Sequence, residues 1–458
     1  MIENDAFKLL LINLFHLNPD DITNIVCTTF NKMMVLLVTL ADKHQACPYC
    51  GFTAPKIKEY VTKEITHSAL TTQKCIIKYR ARRYKCPCCG KTYYEFNPFV
   101  FKSQKISILT VHNILKDLKD FNETFTSVAR RYHVSPTSVS TIFDNHVDIG
   151  RNPLPEIINF DEVYAFKSEK SKYVCVLLDF KKQIPVDVLP NRKKEYLLNY
   201  FQKIPLEERK KVKYACSDMY EVYRDVVHKV FPSCCMLLDY FHLSQDFHRK
   251  MNEVRIKVMK GYKDNKASDE YYLLKKFNWL LFKNPEDEDK YGRLFDVERE
   301  RKYNSHFKSY MNYYDLRKKL LDINNDLTIC YSLKLELVDF YSKSTIDNAK
   351  VNLENLIRSC IDTNIEEMIK FSNNLINWKQ EIINSFTIVD TEYKVEADKG
   401  QVVVCNKKVN NAIIENRNKI IKCIKNNANG YTNWSRFRNR VMYVLDPNTT
   451  FSLEPREK

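Results

Sequence analysis

No apolar run in this chain exceeds about nine residues; the longest, MMVLLVTLA, occupies 33–41. A helix needs about 20 consecutive apolar residues to cross a bilayer, so the run excludes a membrane-spanning helix. The start, MIENDAFKLL, lacks the basic and apolar segments of a secretory leader, and the expectation is a soluble intracellular protein. In that reducing setting the fifteen cysteines read as free thiols, some of them metal ligands, rather than as disulfides. Chain breakers are also scarce in one region. Between 233 and 446 there is one proline, Pro285, and four glycines, Gly261, Gly292, Gly400 and Gly430. A stretch so poor in breakers and rich in Leu, Lys, Glu and Asn reads as mostly helical. Internal repeats and low-complexity tracts are absent.

Positive charge is in excess. Against 57 acids stand 73 lysines and arginines, a formal net charge of +16 over 458 residues. That surplus points to an anionic partner, nucleic acid or a membrane surface, and the length allows two to four domains.

Four cysteines have metal-ligand spacing. Residues 47–51 read CPYCG and 86–90 read CPCCG. Each Cys-x-x-Cys presents two thiolates from one tight turn, and the following glycine lets that turn close. Cys47, Cys50, Cys86 and Cys89 are the proposed Zn2+ ligands, with Cys88 a possible competitor and Cys75 a further thiol. The intervening QKCIIKYRARRYKC is strand-like, as in a zinc ribbon. Thirteen Lys/Arg against three Glu over 43–105 make the ribbon basic. One such knuckle would equally suit a buried or redox pair; two favour zinc.

Residues 123–146, ETFTSVARRYHVSPTSVSTIFDNH, read as a helix-turn-helix. Val128, Ala129 and Tyr132 form the inner face of a short helix. Ser135 and Pro136 open a second helix that packs Val139 and Ile142 and offers Thr137, Ser138, Ser140 and Thr141 to a DNA groove. Many helical hairpins share this pattern; the basic ribbon upstream favours a DNA-reading region over 1–146.

From 156 the periodicity changes. EIINFDEVYAF, KYVCVLLDF and QIPVDVLP read as three successive strands. They are followed by the helix KKEYLLNYFQKI, the strand VKYACSDMY, the helix YEVYRDVVHKVFP and the strand CCMLLDYFHL. The order β-β-β-α-β-α-β is that of an RNase-H-like sheet. It makes the strands bearing Asp161 and Asp218 neighbours, so their carboxylates can meet at one edge. With one further acid they could hold two Mg2+ about 4 Å apart, a pair able to act on a phosphodiester.

One acid stands out by isolation. Over 399–445 Glu415 is the only carboxylate among ten basic residues. In NNAIIENRNKIIKCIK, helical spacing puts Asn411, Glu415, Asn418/Lys419 and Lys422 on one face. A surface salt bridge would explain a glutamate; a metal ligand among phosphate-binding lysines explains its isolation too. Glu367 or Glu381 is the alternative third acid. After Gly430, Tyr431, Trp434 and Phe437 interleave with Arg436, Arg438 and Arg440. That pattern suits either a DNA strand near the site or a packed C-terminal element.

Paired CPxCG knuckles, a helix-turn-helix, FDE, SDM, DYFH and the block N-x3-E-x2-N-x2-IK…GY-x-N…FR-x-R occur in the order found in the DDE transposases of bacterial insertion sequences. The chain resembles their ISL-three family over nearly its whole length. The resemblance implies that Asp161, Asp218 and Glu415 are the catalytic, Mg2+-binding triad, with Mn2+ an alternative ion. It implies that Asp239 and His242 of DYFH stand beside the triad in a supporting role.

It also implies a multidomain α/β architecture. An N-terminal region with a zinc ribbon occupies 1–105 and a helix-turn-helix 106–150. The first part of an RNase-H-like mixed sheet covers 151–242, a large all-α insertion 243–400, and the glutamate helix with a basic C-terminal region 401–458. The implied activity is binding to the terminal inverted repeats of an insertion sequence, followed by Mg2+-dependent cleavage and strand transfer. Double-stranded DNA is the partner, a homo-oligomer the synaptic form, and the bacterial cytoplasm the location. The alternatives are a decayed, non-catalytic DNA-binding regulator and a nuclease that cuts without joining.

Overall fold

The computed structural model describes residues 2–456 apart from 44, 69, 71, 102–103, 167–170 and 395–401. Helix α1 (Ile2–Leu14) leads into a five-stranded sheet of β1 (Ile22–Phe30), β2 (Met33–Leu40), β3 (Lys56–Thr66), β4 (Cys75–Lys85) and β5 (Thr92–Tyr94). The path is β1-β2-β4-β3, with β5 beside β4. The apolar run at 33–41 is β2. Asn31 and Lys32, with φ of 47° and 61°, close a two-residue turn between β1 and β2.

Three helices follow: α2 (Ile108–Asp117), α3 (Phe125–Arg131) and α4 (Pro136–His146). Ser135 caps α4 through the backbone N–H of Ser138, with Pro136 at the first helical position, as the sequence predicts.

The central sheet comprises β6 (Ile157–Val163), β7 (Val174–Asp179) and β8 (Pro185–Leu189). Then come α5 (Lys194–Gln202), the single turn α6 (Leu206–Arg209), β9 (Tyr214–Ser217), α7 (Glu221–Val230) and β10 (Cys235–Leu238). Its spatial order is β10-β9-β6-β7-β8. β7 runs antiparallel to both β6 and β8; β9 runs parallel to β6 and β10 parallel to β9. Every residue of β7 is buried. Val174, Val176 and Leu178 face one helical layer, Cys175 and Leu177 the other, so the near-continuous apolar run reflects burial on both faces.

Residues 240–408 depart from an all-α reading. Seven helices do pack around one core: α8 (Tyr240–Gly261), α9 (Asp269–Lys276), α10 (Tyr313–Leu321), α11 (Asn325–Lys343), α12 (Ala349–Asp362), α13 (Glu366–Asn377) and α14 (Lys379–Asn384). Three hairpins interrupt them. These are β11 (Glu288–Asp289) with β12 (Gly292–Arg293), β13 (Lys302–Asn304) with β14 (Ser309–Met311), and β15 (Ile388–Lys394) with β16 (Val402–Lys408). Few breakers exclude many turns but not a hairpin, which needs only one. Helix α8 also begins inside DYFH, so β10 ends earlier than its apolar pattern suggested.

The chain closes with α15 (Ala412–Asn427) and α16 (Trp434–Leu445), separated at Gly430, whose φ of 98° favours glycine. Both helices share one buried cluster with α2, α3, α4 and one face of the central sheet. No helix among the described residues is long and apolar enough to cross a membrane.

Candidate active site

The sheet brings three aspartates to one edge. In the parallel register Asn159 lies opposite Cys216, and Leu238 opposite Ser217. Carried one or two residues further, that register sets Asp161, Asp218 and Asp239 level at the C-terminal ends of β6, β9 and β10. Neighbouring strands run about 4.8 Å apart, so the three carboxylates emerge side by side. Strand parity decides their faces. Ile158 and Phe160 belong to the cluster under α5 and α7, whereas Asp161 alternates to the face covered by α15. Glu162 alternates the other way, toward Tyr223, whose hydroxyl is 3.3 Å from Oε2, and pairs with Arg192.

Helix α15 is pinned to that edge by two asparagines, which bracket Glu415 on one helical face. Asn411 accepts from Asn159 Nδ2 at 2.7 Å and donates to the Phe160 carbonyl at 3.3 Å. Asn418 Nδ2 donates to Asp161 Oδ2 at 2.7 Å. Both asparagines are buried, while Glu415 remains partly open. Of the expected face, Asn411 and Asn418 bond the sheet edge, whereas Lys419 and Lys422 are exposed.

Glu415 also meets the first turn of α8. Its Oε1 lies 4.0 Å from His242 Nε2, which in turn lies 3.8 Å from Asp239 Oδ2. One ligand atom from each of Asp239, His242 and Glu415 falls within 4.8 Å of the others. The sequence placed Asp239 and His242 on a strand; the structure puts Asp239 at the helix N-cap and His242 three residues on.

Carboxyl groups crowd this edge. Burial, then the neighbouring Asp218 and Glu162, pushes Asp161 up to about 7, although the Glu162 N–H and His242 oppose the rise. Burial, followed by repulsion from Glu162, lifts Asp218 to about 6. Asp239 is raised by burial and by Glu415, against the pull of His242 and the Asn411 N–H. Asp218 Oδ1, Asp239 Oδ2, His242 Nε2 and Asn418 Oδ1 are buried with no hydrogen-bond partner. Unpartnered acceptors among crowded carboxyls fit a divalent cation, which supplies charge and ligand valency together. Sequence reading put Asn418 on the Glu415 face without its Asp161 partner and missed Glu162 and Arg192; FDE did signal a second acid beside Asp161.

The knuckles form a second centre. Cys47 Sγ and Cys89 Sγ are 3.7 Å apart, Cys50 Sγ and Cys86 Sγ 3.5 Å, and all four fall within 4.8 Å of one another. A tetrahedron with Zn–S arms of about 2.3 Å has edges of about 3.8 Å, so the sulfurs stand where zinc needs them. Gly51 and Gly90 have φ of 75° and 71°, and each donates its N–H to the first cysteine carbonyl of its knuckle. The N–H groups of Cys89 and Cys88 help hold the Cys86 thiol down to about 7. Cys88 is exposed and outside the cluster; Cys75 is buried in β4.

Several residues assigned to DNA have other surroundings. On α4, Thr137 and Thr141 are exposed and Ser138 partly so, but Ser140 is buried and bonds back to the Thr137 carbonyl. Lys419 and Lys422 are exposed on α15. The three arginines of α16 are held internally. Arg436 pairs with Asp144 at 2.6 Å, and Arg438 bonds Asp187 and the Ile149 carbonyl, each at 2.7 Å. Arg440, 1% exposed, donates to the Asp120 and Glu123 carbonyls at 2.8 Å. Trp434 and Phe437 pack against Phe166. This is a packed element, because its basic residues find acceptors in α4, β8 and the loop before α3. Glu367 pairs with Lys257, and Glu381 is buried at the start of α14.

A mixed sheet with an acidic edge, joined to a four-cysteine cluster in a basic chain, defines a DNA-processing class of protein, and comparison names the class as transposase. The ISL3-type DDE transposase family profile, described as “Transposase”, matches residues 158–397. The chain belongs to that family. It is also similar to the “Transposase for insertion sequence element IS1001” of Bordetella parapertussis. Identity is 19% over 408 residues, covering 89% of this chain and 90% of that one.

Proposed function

We propose that this transposase binds the terminal inverted repeats of its own insertion sequence and catalyses Mg2+- or Mn2+-dependent cleavage and strand transfer on an RNase-H-like core. The observation that supports the reading is the pinning of α15 beside the acidic edge through Asn411 and Asn418, the two residues that flank Glu415 on that helix. Asp161, Asp218 and Glu415 would hold two divalent ions. Such a pair, once bound, activates water or a 3′-hydroxyl and stabilises the leaving oxygen.

The chain's own residues orient that chemistry. Asn418 fixes the Asp161 carboxylate, and Arg192 keeps Glu162 turned from the metals. Exposed Lys419 and Lys422 hold phosphates of the reacting strand. Upstream, a Zn2+ on Cys47, Cys50, Cys86 and Cys89 stiffens a ribbon. With Thr137, Ser138 and Thr141 of a helix-turn-helix, that ribbon reads the element ends. Two ends must be held together, so the active species is a homo-oligomer on DNA in the bacterial cytoplasm.

The test uses end-labelled duplexes bearing the element's ends, with scrambled duplexes as controls, in Mg2+ and in Mn2+. Wild-type protein should cut at the element boundary and join the released 3′ end to target DNA. Asp161→Asn should bind the ends but neither cut nor join. Cutting without joined product would favour a nuclease; binding without any cutting would favour a regulator.

A further inference from the structure

The geometry points to Asp239, His242 and Glu415 as a cation seat with a nitrogen donor, one that makes this centre take Mn2+ in preference to Mg2+. The inference rests on the metal-dependent reading above and goes beyond it, because neither Asp239 nor His242 belongs to the carboxylate triad.

Three observations converge. One ligand atom from each residue lies within 4.8 Å of the other two, close enough for a single ion to touch all three. Asp239 is 3% exposed, and its Oδ2 has no hydrogen-bond partner. His242 Nε2 is likewise buried and unpartnered, and it stands between the carboxylates at 3.8 and 4.0 Å. Those separations are too long for hydrogen bonds and of the right size for ligands sharing an ion. Helix α8 explains the pairing: Asp239 as N-cap and His242 three residues on project to one side of the first turn.

Ligand chemistry then selects the ion. Mg2+ takes oxygen donors and keeps several waters, whereas Mn2+ shares its taste for carboxylates but, as a first-row transition ion, also accepts a nitrogen donor. Glu415, one of the three ligands of this seat, stands on the helix that Asn418 ties to Asp161.

Pulsed electron paramagnetic resonance of Mn2+ bound to the full-length zinc-loaded protein tests the seat without reference to cleavage. The wild-type echo should carry the modulation of a directly bound 14N. His242→Gln should abolish that modulation and weaken Mn2+ binding about tenfold or more, at least what losing an outer-shell partner costs. Asp239→Asn should likewise weaken Mn2+ binding while leaving the 14N modulation of the remaining bound ion in place. Bound Mn2+ with no 14N modulation in the wild type, or modulation persisting in His242→Gln, overturns the proposal, as does failure to bind Mn2+ at all. Asp161→Asn separates the two readings. If it retains the 14N signal but loses one Mn2+, both stand; if it retains every Mn2+, the triad reading fails while this seat remains.

Discussion

Asn418 Nδ2 donates a 2.7 Å hydrogen bond to Asp161 Oδ2, joining residues 257 positions apart and fixing α15 against the end of β6. Glu415 lies three residues earlier on the same helix, so this bond sets where the isolated acid points.

Asn418→Leu should therefore uncouple helix and sheet. The Asp161 carboxylate loses a buried donor, at a cost of about 1–3 kcal/mol in thermal or urea unfolding. End binding should be unchanged in a gel-shift assay, while metal-dependent cleavage falls by about tenfold or more, because a misplacement near 1 Å is enough to cost that much. Cleavage at the wild-type rate would mean that the bond does not position the site.

The crowded carboxyls predict an unusual pH response. A carboxyl whose folded pKa exceeds its unfolded value stabilises the fold by keeping its proton, fully so below the unfolded pKa near 4. That contribution is lost as pH rises through the folded pKa, about 6 for Asp218 and about 7 for Asp161. Without divalent cations the protein should thus lose stability between about pH 4 and pH 7. Asp218→Asn should remove part of the loss, gaining about 1–3 kcal/mol over wild type at pH 8 and little at pH 4. Thermal melts in buffer freed of Mg2+ without chelator, so that zinc is kept, make the comparison. Added Mg2+ should reverse the order.

Zinc should be present at one ion per chain. Cys86→Ser should lose it and unfold the ribbon, whereas Cys88→Ser should keep both metal and fold, since Cys88 is exposed and outside the sulfur cluster. Elemental analysis with circular dichroism reads both outcomes, and zinc retained by Cys86→Ser would refute the ligand set.

The basic residues should separate into two classes. Arg440→Leu leaves the Asp120 and Glu123 carbonyls without their donor and should destabilise by about 2–4 kcal/mol without changing end affinity below the melt. Lys419→Ala and Lys422→Ala should do the reverse, each lowering the salt slope of DNA binding by about one and leaving stability within about 0.5 kcal/mol.

What could be read from the sequence was chemistry carried by local pattern. CPxCG is complete within five residues, Asp161 is marked by the apolar strand it lies in, and Asp218 by the one it follows. Partners set by tertiary register could not be read. Asn418 and Asn411 gain meaning only once α15 lies on β6. The arginines of α16 left a DNA strand and a packed element equally open, because their acceptors, Asp144, Asp187 and the loop before α3, come from distant segments. Ser140 was counted as exposed because its helix is short and nearly all its residues are small or polar. The hairpin of β15 and β16 did leave a trace, the β-branched Ile388-Val389 and the run Val402-Val403-Val404, which scarcity of breakers overrode.

Glu415→Gln is the measurement that reaches the centre most directly. The substitution keeps the side chain's size and removes its charge. Incubated with duplexes carrying the element's ends, the variant should melt like wild type, bind the ends with unchanged affinity and yield no cleaved or joined product in Mg2+ or Mn2+. A variant that still cuts at the boundary at the wild-type rate would show that the lone acid of this basic segment is a surface charge and that the third ligand lies elsewhere.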